Sequence, residues 1–293
     1  MILLTGATGL VGGELLPMLL ESGQRVRTLV RDPRKLGAQR VNVQIALGDL
    51  ADPFSIRHAM RGVDTVIHLA ATIRDQPQGT IEELNGLATW RLLSAAQRVG
   101  VERFVFFSAL GATPFQRTRF FRSKALAEHA VGASELDTTV FAPSIVYAPG
   151  DPWITLMQRL AALPAVPVAG SGRARYQPIC ARDVARCVSA ALDGGAPESG
   201  HARHELAGPD TLSYEEIAQL VARAAGHQRP LLNVPLPIVK AGLQIAELAA
   251  GGSTFATWEE AELMEVPMTT PAGSADVERL GVRPLPMADV LGG

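Results

Sequence analysis

The sequence contains few cysteines and few aromatic residues, and neither positive nor negative charge is in large excess. Its 293 residues include only two cysteines, Cys180 and Cys187, which argues against a disulfide-built extracellular scaffold and makes a reducing cytoplasm the expected location. The formal net charge is −2 and no long run of lysine and arginine occurs, so we expect no nucleic-acid ligand. The histidines and carboxylates show no metal-ligand spacing, and we predict that the chain holds no metal.

Long hydrophobic runs are also missing. The most apolar stretch of the second half, residues 236–250, is shorter than a membrane span and includes Lys240 and Glu247. We therefore predict a buried or amphipathic helix there and no membrane span. The N-terminus lacks the basic region and the cleavage signal of a secretory peptide, so we expect none. An apolar fraction of 47% with 19% charged residues is typical of a globular protein with an ample core.

Residues 1–32 have the pattern of a strand, a glycine-rich turn, a helix and a second strand. Gly6, Gly9 and Gly12 follow a short apolar run and precede a helical pattern of leucines. Glycine permits a tight turn after the strand and lets backbone N–H groups approach phosphate oxygens, which the N-terminus of the following helix attracts. We therefore predict that this segment binds the pyrophosphate of a dinucleotide.

The end of the second predicted strand indicates which dinucleotide binds. An NAD site places Asp or Glu there, about twenty residues after the glycines, to accept hydrogen bonds from the ribose 2′-hydroxyl. Val30 occupies that place and Arg31 follows, and arginine can pair with a 2′-phosphate in a bidentate manner. We therefore predict NADP. NAD stays the open alternative, because Asp32 could neutralise Arg31 or reach the ribose itself.

Strands and helices alternate through the first half of the chain, which is typical of a doubly wound parallel sheet. We predict an α/β fold with a core at residues 1–143 and a smaller C-terminal lobe on the substrate side at residues 144–293, which packs on the core and contributes elements back to it. The predicted core strands lie at residues 1–4, 24–30, 41–46, 64–71, 103–108 and 138–142, and the core helices at 13–22, 52–60, 81–99 and 119–134. In the lobe, helices are expected at residues 154–163, 181–192, 214–225 and 236–250, and strands at 165–169 and 204–207.

Several motifs, in order and over nearly the whole chain, resemble the extended and atypical branches of the short-chain dehydrogenase/reductase superfamily. TGATGLVG at residues 5–12 is similar to its cofactor loop, GDL at 48–50 to the segment that meets the adenine, and HLAA at 68–71 to the strand-four motif beside the cofactor. PSIVYAPGD at 143–151 and YQPICARDVA at 176–185 are similar to later segments. With the glycine and arginine arguments, the resemblance implies a Rossmann fold and these cofactor-binding residues: Gly6, Thr8, Gly9, Leu10, Val11, Gly12, Arg31, Asp49, Leu50, Leu69, Ala70, Ala71, Asn85, Ser108, Lys124 and Pro143.

The predicted active site departs from the superfamily pattern. That pattern is Tyr-x-x-x-Lys on the helix after strand five, where the tyrosine transfers the substrate proton and the lysine holds the cofactor ribose. In FFRSKALAE, residues 120–128, the lysine is Lys124 but Phe120 occupies the tyrosine position, and phenylalanine cannot transfer a proton. The supporting serine position falls on Ala109 or Leu110. This arrangement resembles NmrA-like redox sensors, isoflavone-reductase-like enzymes that use lysine without tyrosine and, most of all, the nucleotide-binding accessory subunit of respiratory complex I.

Four side chains near the predicted cleft are candidates for chemistry. Lys124 is the candidate catalytic residue, as ribose anchor and as proton donor. His68 is expected to be a packed histidine near the cofactor, with general-base chemistry as the alternative. Together with Ala109, Tyr147 and Tyr176 are predicted to line the substrate pocket, and either tyrosine could replace the missing phenol or be a wall residue.

Three functions stay open on the sequence alone. The first is an NADP-dependent oxidoreductase that passes hydride to a small apolar acceptor of the quinone or enone type, with Lys124 or water supplying the proton. The second is a non-catalytic NADP(H)-binding redox sensor or accessory subunit, with a protein partner or a homo-oligomer. The third, a sugar-nucleotide epimerase or dehydratase, is disfavoured by the missing tyrosine. Apolar residues of the lobe, such as Trp153, Met157 and Ile238, favour a hydrophobic acceptor.

Overall fold

The computed structural model describes residues 1–194, 200–250 and 258–292. Its strands are β1 (Ile2–Thr5), β2 (Val26–Val30), β3 (Gln44–Leu47), β4 (Thr65–His68), β5 (Arg103–Phe107), β6 (Asp137–Pro143), β7 (Val146–Tyr147), β8 (Val166–Ala169), β9 (Arg175–Tyr176), β10 (Ile179–Cys180), β11 (His201–Leu206), β12 (Leu212–Ser213) and β13 (Leu231–Val234). Its α-helices are α1 (Leu10–Glu21), α2 (Pro53–Ala59), α3 (Ala88–Val99), α4 (Arg119–Gly132), α5 (Pro152–Ala161), α6 (Ala181–Asp193), α7 (Tyr214–Ala224), α8 (Leu236–Ala250), α9 (Trp258–Leu263), α10 (Ala275–Arg279) and α11 (Met287–Gly292). A 3-10 stretch at Pro33–Val41 and a π-helical turn at Glu82–Leu87 complete the described elements.

A seven-stranded parallel sheet forms the centre of the molecule, with the strand order β11-β6-β5-β4-β1-β2-β3. β1 pairs with β2 on one side and with β4 on the other, so the direction of winding reverses at β1. In an open α/β sheet a crevice forms outside the carboxyl ends of the strands at such a reversal, and ligands bind there. The site is therefore expected at the edge where Thr5 ends β1 and His68 ends β4.

Helices cover both faces of this sheet. Leu4 of β1 belongs to a buried cluster with Leu15 of α1 and Val184 of α6, whereas Leu3 belongs to a cluster with Ile56 of α2 and with residues of α3 and α4. Successive residues of a strand point to opposite faces, so an apolar strand of this kind must be covered on both sides. The doubly wound α/β architecture predicted from the sequence is confirmed.

Residues of the predicted lobe complete the sheet of the core. β11, from the second half of the chain, pairs with β6 over residues 201–206, and α6 packs on the same face as α1. The remaining short strands form the pairs β7–β10, β9–β12 and β8–β13. Of the predicted lobe, residues 195–199, 251–257 and 293 lie outside the described part of the chain. No helix in the described ranges has both the length and the hydrophobicity to cross a lipid bilayer.

Several element boundaries differ from the sequence prediction, and those of four elements near the crevice have a visible cause. α1 begins at Leu10, because the Gly13 N–H already bonds to the Gly9 carbonyl. β3 begins at Gln44, since Val41 is 81% exposed at the end of the 3-10 stretch. The helix predicted at residues 81–99 is a π-helical turn followed by α3, and β4 ends at His68, which leaves residues 69–71 as a loop.

Candidate functional site

Two glycines of the turn after β1, Gly6 and Gly12, leave no room for a side chain. Gly6 has a φ of +78°, and a Cβ there would lie 2.6 Å from the Ala70 backbone nitrogen. A Cβ on Gly12 would overlap the Gly6 carbonyl oxygen. Gly9 precedes α1 with extended backbone and no side-chain cap, and it is exposed together with Thr8. The first amides of α1 therefore face the crevice without a covering side chain, which fits a bound pyrophosphate.

Arg31 stands at the end of β2 with its side chain 59% exposed. Its Nη1 lies 3.9 Å from an Asp49 oxygen at the end of β3 and 3.4 Å from the Gln78 side-chain oxygen. Asp32 does not neutralise it, because both Asp32 oxygens accept hydrogen bonds from the Arg34 guanidinium, at 2.9 and 3.0 Å. These hydrogen bonds lower the pKa of Asp32. Arg31 is thus an exposed guanidinium that Asp32 does not engage.

The loop after β4 is held by Asn85 of the π-helical turn. The Asn85 side chain accepts from the Thr72 N–H at 2.8 Å and donates to the Thr72 carbonyl at 2.7 Å. It also donates to Ser123 Oγ of α4 at 3.3 Å. The oxygen and the nitrogen of the Asn85 amide both bond to protein groups. Asn85 therefore positions the loop that contains the predicted cofactor residues Leu69, Ala70 and Ala71. The predicted Leu50 follows Asp49 and is half-buried at the end of β3.

His68 is buried between two threonine hydroxyls. Its Nδ1 is 2.7 Å from Thr5 Oγ1 and its Nε2 is 2.9 Å from Thr89 Oγ1. The Thr89 hydroxyl donates to the Asn85 carbonyl, so it must accept from His68 Nε2, and Nδ1 accepts from Thr5. Burial, assisted by the charge of Lys124, lowers the pKa of His68 to about 3. Both ring nitrogens are engaged, so His68 is a packed histidine and has no free lone pair to act as a general base.

Lys124 is buried in α4, with 3% of its surface exposed. Its Nζ donates to the Phe107 carbonyl at 2.6 Å and lies 4.9 Å from the centroid of the Phe106 ring. Burial lowers the pKa of Lys124 to about 7, against the opposing effect of Glu128. A pKa near 7 is what an acid or base needs to exchange a proton at neutral pH. The next residue of the chain after Phe107 is Ser108, whose buried Oγ has no hydrogen-bond partner within the described residues.

A cavity of about 860 Å³ opens at this end of β5 and β6. Small-molecule sites span about 300 to 1,000 Å³, so the volume of this cavity lies in the upper part of that range. On the sheet side it is lined by Ser108, Ala109 and Pro143, all three predicted as site residues. On the lobe side the lining consists mainly of apolar side chains from α5, β8, β13, α8 and α9.

Phe120 and Tyr214 also line this cavity, whereas two predicted pocket residues lie elsewhere. Tyr147 and Tyr176 are buried together in the core of the lobe and are absent from the lining. The Tyr176 hydroxyl donates to the Met264 carbonyl at 2.5 Å, and burial raises the pKa of both phenols. Tyr214 is therefore the phenol that reaches the cavity, and the sequence analysis missed it.

Two charged residues missed by the sequence analysis form an ion pair on the cavity wall. Arg74, in the loop after β4, lies 2.8 Å from a Glu260 oxygen of α9, and their side chains are 36% and 17% exposed. They are the only charged residues among the described lining residues. No local pattern could have joined them, because they are far apart in the sequence. Within the described ranges, no group of three histidine, cysteine or carboxylate residues could hold a metal ion.

Comparison with known proteins agrees with this geometry. The family model described as NAD(P)H-binding matches residues 6–193. A sterol demethylase protein B of Methylococcus capsulatus is 31% identical over 80% of this chain and 77% of its own length. A ceramide reductase of Caulobacter vibrioides is 28% identical over 92% of this chain and 85% of its own length.

Two further relatives bear on the fold and on the alternatives. A mitochondrial NADH dehydrogenase (ubiquinone) 1 alpha subcomplex subunit 9 of Arabidopsis thaliana is 29% identical over 80% of this chain, which spans 60% of that protein. The crystal structure of a nucleoside-diphosphate-sugar epimerase of Staphylococcus aureus has a TM-score of 0.78 and 20% identity, over 100% of this chain and 99% of that one, and shows the same fold. The chain therefore belongs to the NAD(P)H-binding Rossmann family, with homologues among the extended short-chain dehydrogenase/reductase, NmrA-like and complex I accessory-subunit groups.

Proposed function

We propose that this protein is an NADP(H)-dependent oxidoreductase that passes hydride to an apolar acceptor of the quinone or enone type. The observation that carries the proposal is the cavity of about 860 Å³ that opens at Ser108, Ala109 and Phe120, at the carboxyl edge of the sheet. A protein that only bound the dinucleotide would need no second, largely apolar chamber at the place where a substrate meets a cofactor in this fold.

The choice of NADP rests on the charges around Arg31. A 2′-phosphate needs cationic donors, and the Asp32 carboxylate that could have cancelled Arg31 is bonded to Arg34 instead. An NAD site would need a carboxylate at the end of β2 that is available for the ribose hydroxyls. Arg31 is therefore the residue expected to hold the phosphate.

The reduced nicotinamide provides the hydride when bound, and the protein's own groups position the acceptor and assist the proton transfer. The acceptor takes up one hydride and one proton, and the proton comes from Lys124 Nζ or from water. The low pKa of Lys124, near 7, suits that transfer. Ser108 Oγ, buried and without a partner in the described residues, can hydrogen-bond to the acceptor oxygen. Phe120, in place of the superfamily tyrosine, adds apolar wall and no proton.

The names of two relatives support an apolar substrate. One is a ceramide reductase and the other a sterol demethylase protein, and both names refer to lipids. A sugar-nucleotide substrate fits less well, because a polar sugar would be placed against a mostly apolar wall without the phenol that its oxidation needs.

A non-catalytic role is the second candidate. It is favoured by Phe120 at the tyrosine position and by the Arabidopsis thaliana relative, which is a subunit of NADH dehydrogenase. In that case the cavity would hold a structural lipid or be filled by a partner.

Stopped-flow oxidation of bound NADPH by a panel of quinones and enones separates the two candidates. We expect turnover with apolar acceptors, with a hydride-transfer rate that is constant below about pH 7 and falls above it, since the acid must be protonated. Lys124→Met should lower the rate and remove this pH dependence, whereas Lys35→Met, on the exposed 3-10 stretch, should leave both unchanged. Tight NADPH binding without oxidation by any acceptor would refute the oxidoreductase proposal.

A further inference from the structure

We propose that the acceptor is a para-quinone whose two carbonyl oxygens bind at two donor sites of the cavity, one at Ser108 on the sheet side and the other at Tyr214 and Trp153 on the lobe side. This assignment rests on the proposed function, because it chooses between the two acceptor classes named there. A para-quinone has a second oxygen across its ring, whereas a simple enone has one oxygen.

Tyr214 and Trp153 put two hydrogen-bond donors on the lobe side. Tyr214 is the first residue of α7, Trp153 lies in the first turn of α5, and both line the cavity half-buried. Burial raises the pKa of Tyr214 against the opposing effect of the nearby Trp153 N–H, so the phenol keeps its proton at neutral pH. The buried Trp153 Nε1 nevertheless forms no hydrogen bond of normal geometry with any described residue. A ligand oxygen placed there would give this donor the partner that it lacks.

Ser108 provides the donor on the sheet side. It directly follows β5, it is 4% exposed, and its Oγ is likewise without a partner in the described part of the chain. The carbonyl of the preceding residue, Phe107, accepts from Lys124 Nζ at 2.6 Å, so the candidate proton donor lies one peptide unit from Ser108. The quinone oxygen that receives the proton is therefore placed at Ser108.

The other polar side chains of the described lining already have partners. Ser144 Oγ donates to the Met268 carbonyl at 2.7 Å and accepts from the Gln177 N–H at 3.0 Å. Arg74 and Glu260 form an ion pair with each other. Ser108 and Trp153 differ from these three residues, since each has a buried polar atom that no described group satisfies.

The reaction of a quinone makes use of both donor sites. The quinone takes up one hydride from the reduced nicotinamide and one proton from Lys124 or water, and both of its carbonyl oxygens become hydroxyls. Electron density moves onto the oxygens as the hydride arrives, and a hydrogen-bond donor at each oxygen stabilises it. An acceptor with one oxygen would leave one of the two donor sites without a partner.

A binding comparison without turnover tests the lobe side. The NADP⁺-loaded protein is titrated by calorimetry with 2,3-dimethyl-1,4-naphthoquinone and with 2,3-dimethyl-1-tetralone, which has one oxygen on a similar frame. We expect the quinone to bind about fivefold more tightly, and Tyr214→Phe should lower this ratio at least about threefold. The control is Tyr147→Phe, which removes a buried, unpartnered phenol of the same lobe cluster outside the lining and should keep the ratio. A ratio near one in the wild type, or an unchanged ratio in Tyr214→Phe, would overturn the assignment.

The double variant Ser108→Ala with Tyr214→Phe tests whether both sites act at once. For the quinone the losses of affinity in the two single variants should multiply, because each variant removes a different contact. The tetralone should lose less than about twofold in either single variant, since it can turn to the remaining donor, and more in the double variant. Quinone affinity that is the same in the double variant as in one single variant would contradict the two-site assignment. NADP⁺ binding by each variant verifies that it is folded.

This assignment and the oxidoreductase proposal fail separately. A quinone that binds with the expected pattern but never oxidises NADPH would refute the oxidoreductase and keep the two donor sites. Oxidation of NADPH by quinones and enones, with KM values that Tyr214→Phe leaves unchanged, would keep the oxidoreductase and refute the donor site on the lobe.

Discussion

Replacing Lys124 by methionine removes a buried amino group whose protonation is disfavoured in the folded chain. In the wild type, burial lowers the pKa of Lys124 from 10.5 to about 7. Between these two pH values the unfolded chain binds a proton at this lysine and the folded chain does not. The contribution of Lys124 to the free energy of unfolding is therefore lowest below about pH 7, where the charge is buried, and rises as the pH increases toward 10.5.

The expected slope is about 1.4 kcal/mol per pH unit, or roughly 4 kcal/mol between pH 7 and pH 10. Urea denaturation of the wild type and of Lys124→Met across pH 6 to pH 10 measures it, because all other titrating groups are common to both chains and cancel in the difference. The free energy of unfolding of the wild type minus that of the variant should be flat below about pH 7 and then rise.

The matched control is Lys35→Met, at an exposed position of the 3-10 stretch. Its difference from the wild type should stay constant over the same pH range. A constant difference for Lys124→Met as well would mean that Lys124 is not buried as an ammonium with a lowered pKa, and the argument for Lys124 as the proton donor would lose its basis.

Three substitutions test other parts of the site. Arg31→Gln should weaken NADPH binding about tenfold to a hundredfold and leave NADH binding unchanged in fluorescence titrations, as expected for loss of a charge-assisted hydrogen bond; an equal effect on both dinucleotides would refute the phosphate contact. Gly12→Ala should abolish dinucleotide binding and cost about 1–3 kcal/mol of stability, because its Cβ overlaps the Gly6 carbonyl oxygen. Gly13→Ala, whose Cβ would meet nothing within 4 Å, is the control, and equal behaviour of the two variants would contradict the packing argument. Phe120→Tyr puts a phenol back on the cavity wall, and NADPH oxidation by simple carbonyls should then appear; unchanged inactivity would mean that the rest of the cavity also excludes them.

Local sequence patterns were sufficient for the parts of the fold that depend on neighbouring residues. The glycine spacing at Gly6, Gly9 and Gly12 and the alternation of strands and helices follow from backbone sterics and from burial on both faces, so the sheet and its crevice could be predicted. The resemblance to a known superfamily added Asn85 and Lys124, whose side chains are buried on facing helices beside the crevice.

The parts that depend on distant residues could not be predicted. The Arg74–Glu260 pair joins a loop to a helix far along the chain, and no periodicity connects them. The pKa of Lys124 depends on complete burial, which the sequence does not report. Tyr147 and Tyr176 are predicted to line the pocket because the sequence puts them close to the cleft. Side-chain direction, however, is set by the packing of the lobe, where both contribute to the core.

The edge position of β11 has a consequence for the order in which the chain can fold. β6 ends at Pro143, and its only partner on the outer side, β11, begins at His201. During synthesis, a chain that has emerged as far as β6 presents a row of unsatisfied backbone groups until some sixty further residues follow. Translation of the lobe is thus a step in completing the sheet of the cofactor domain. A fragment that stops at residue 143 would leave the outer edge of β6 unpaired, and we expect it to aggregate.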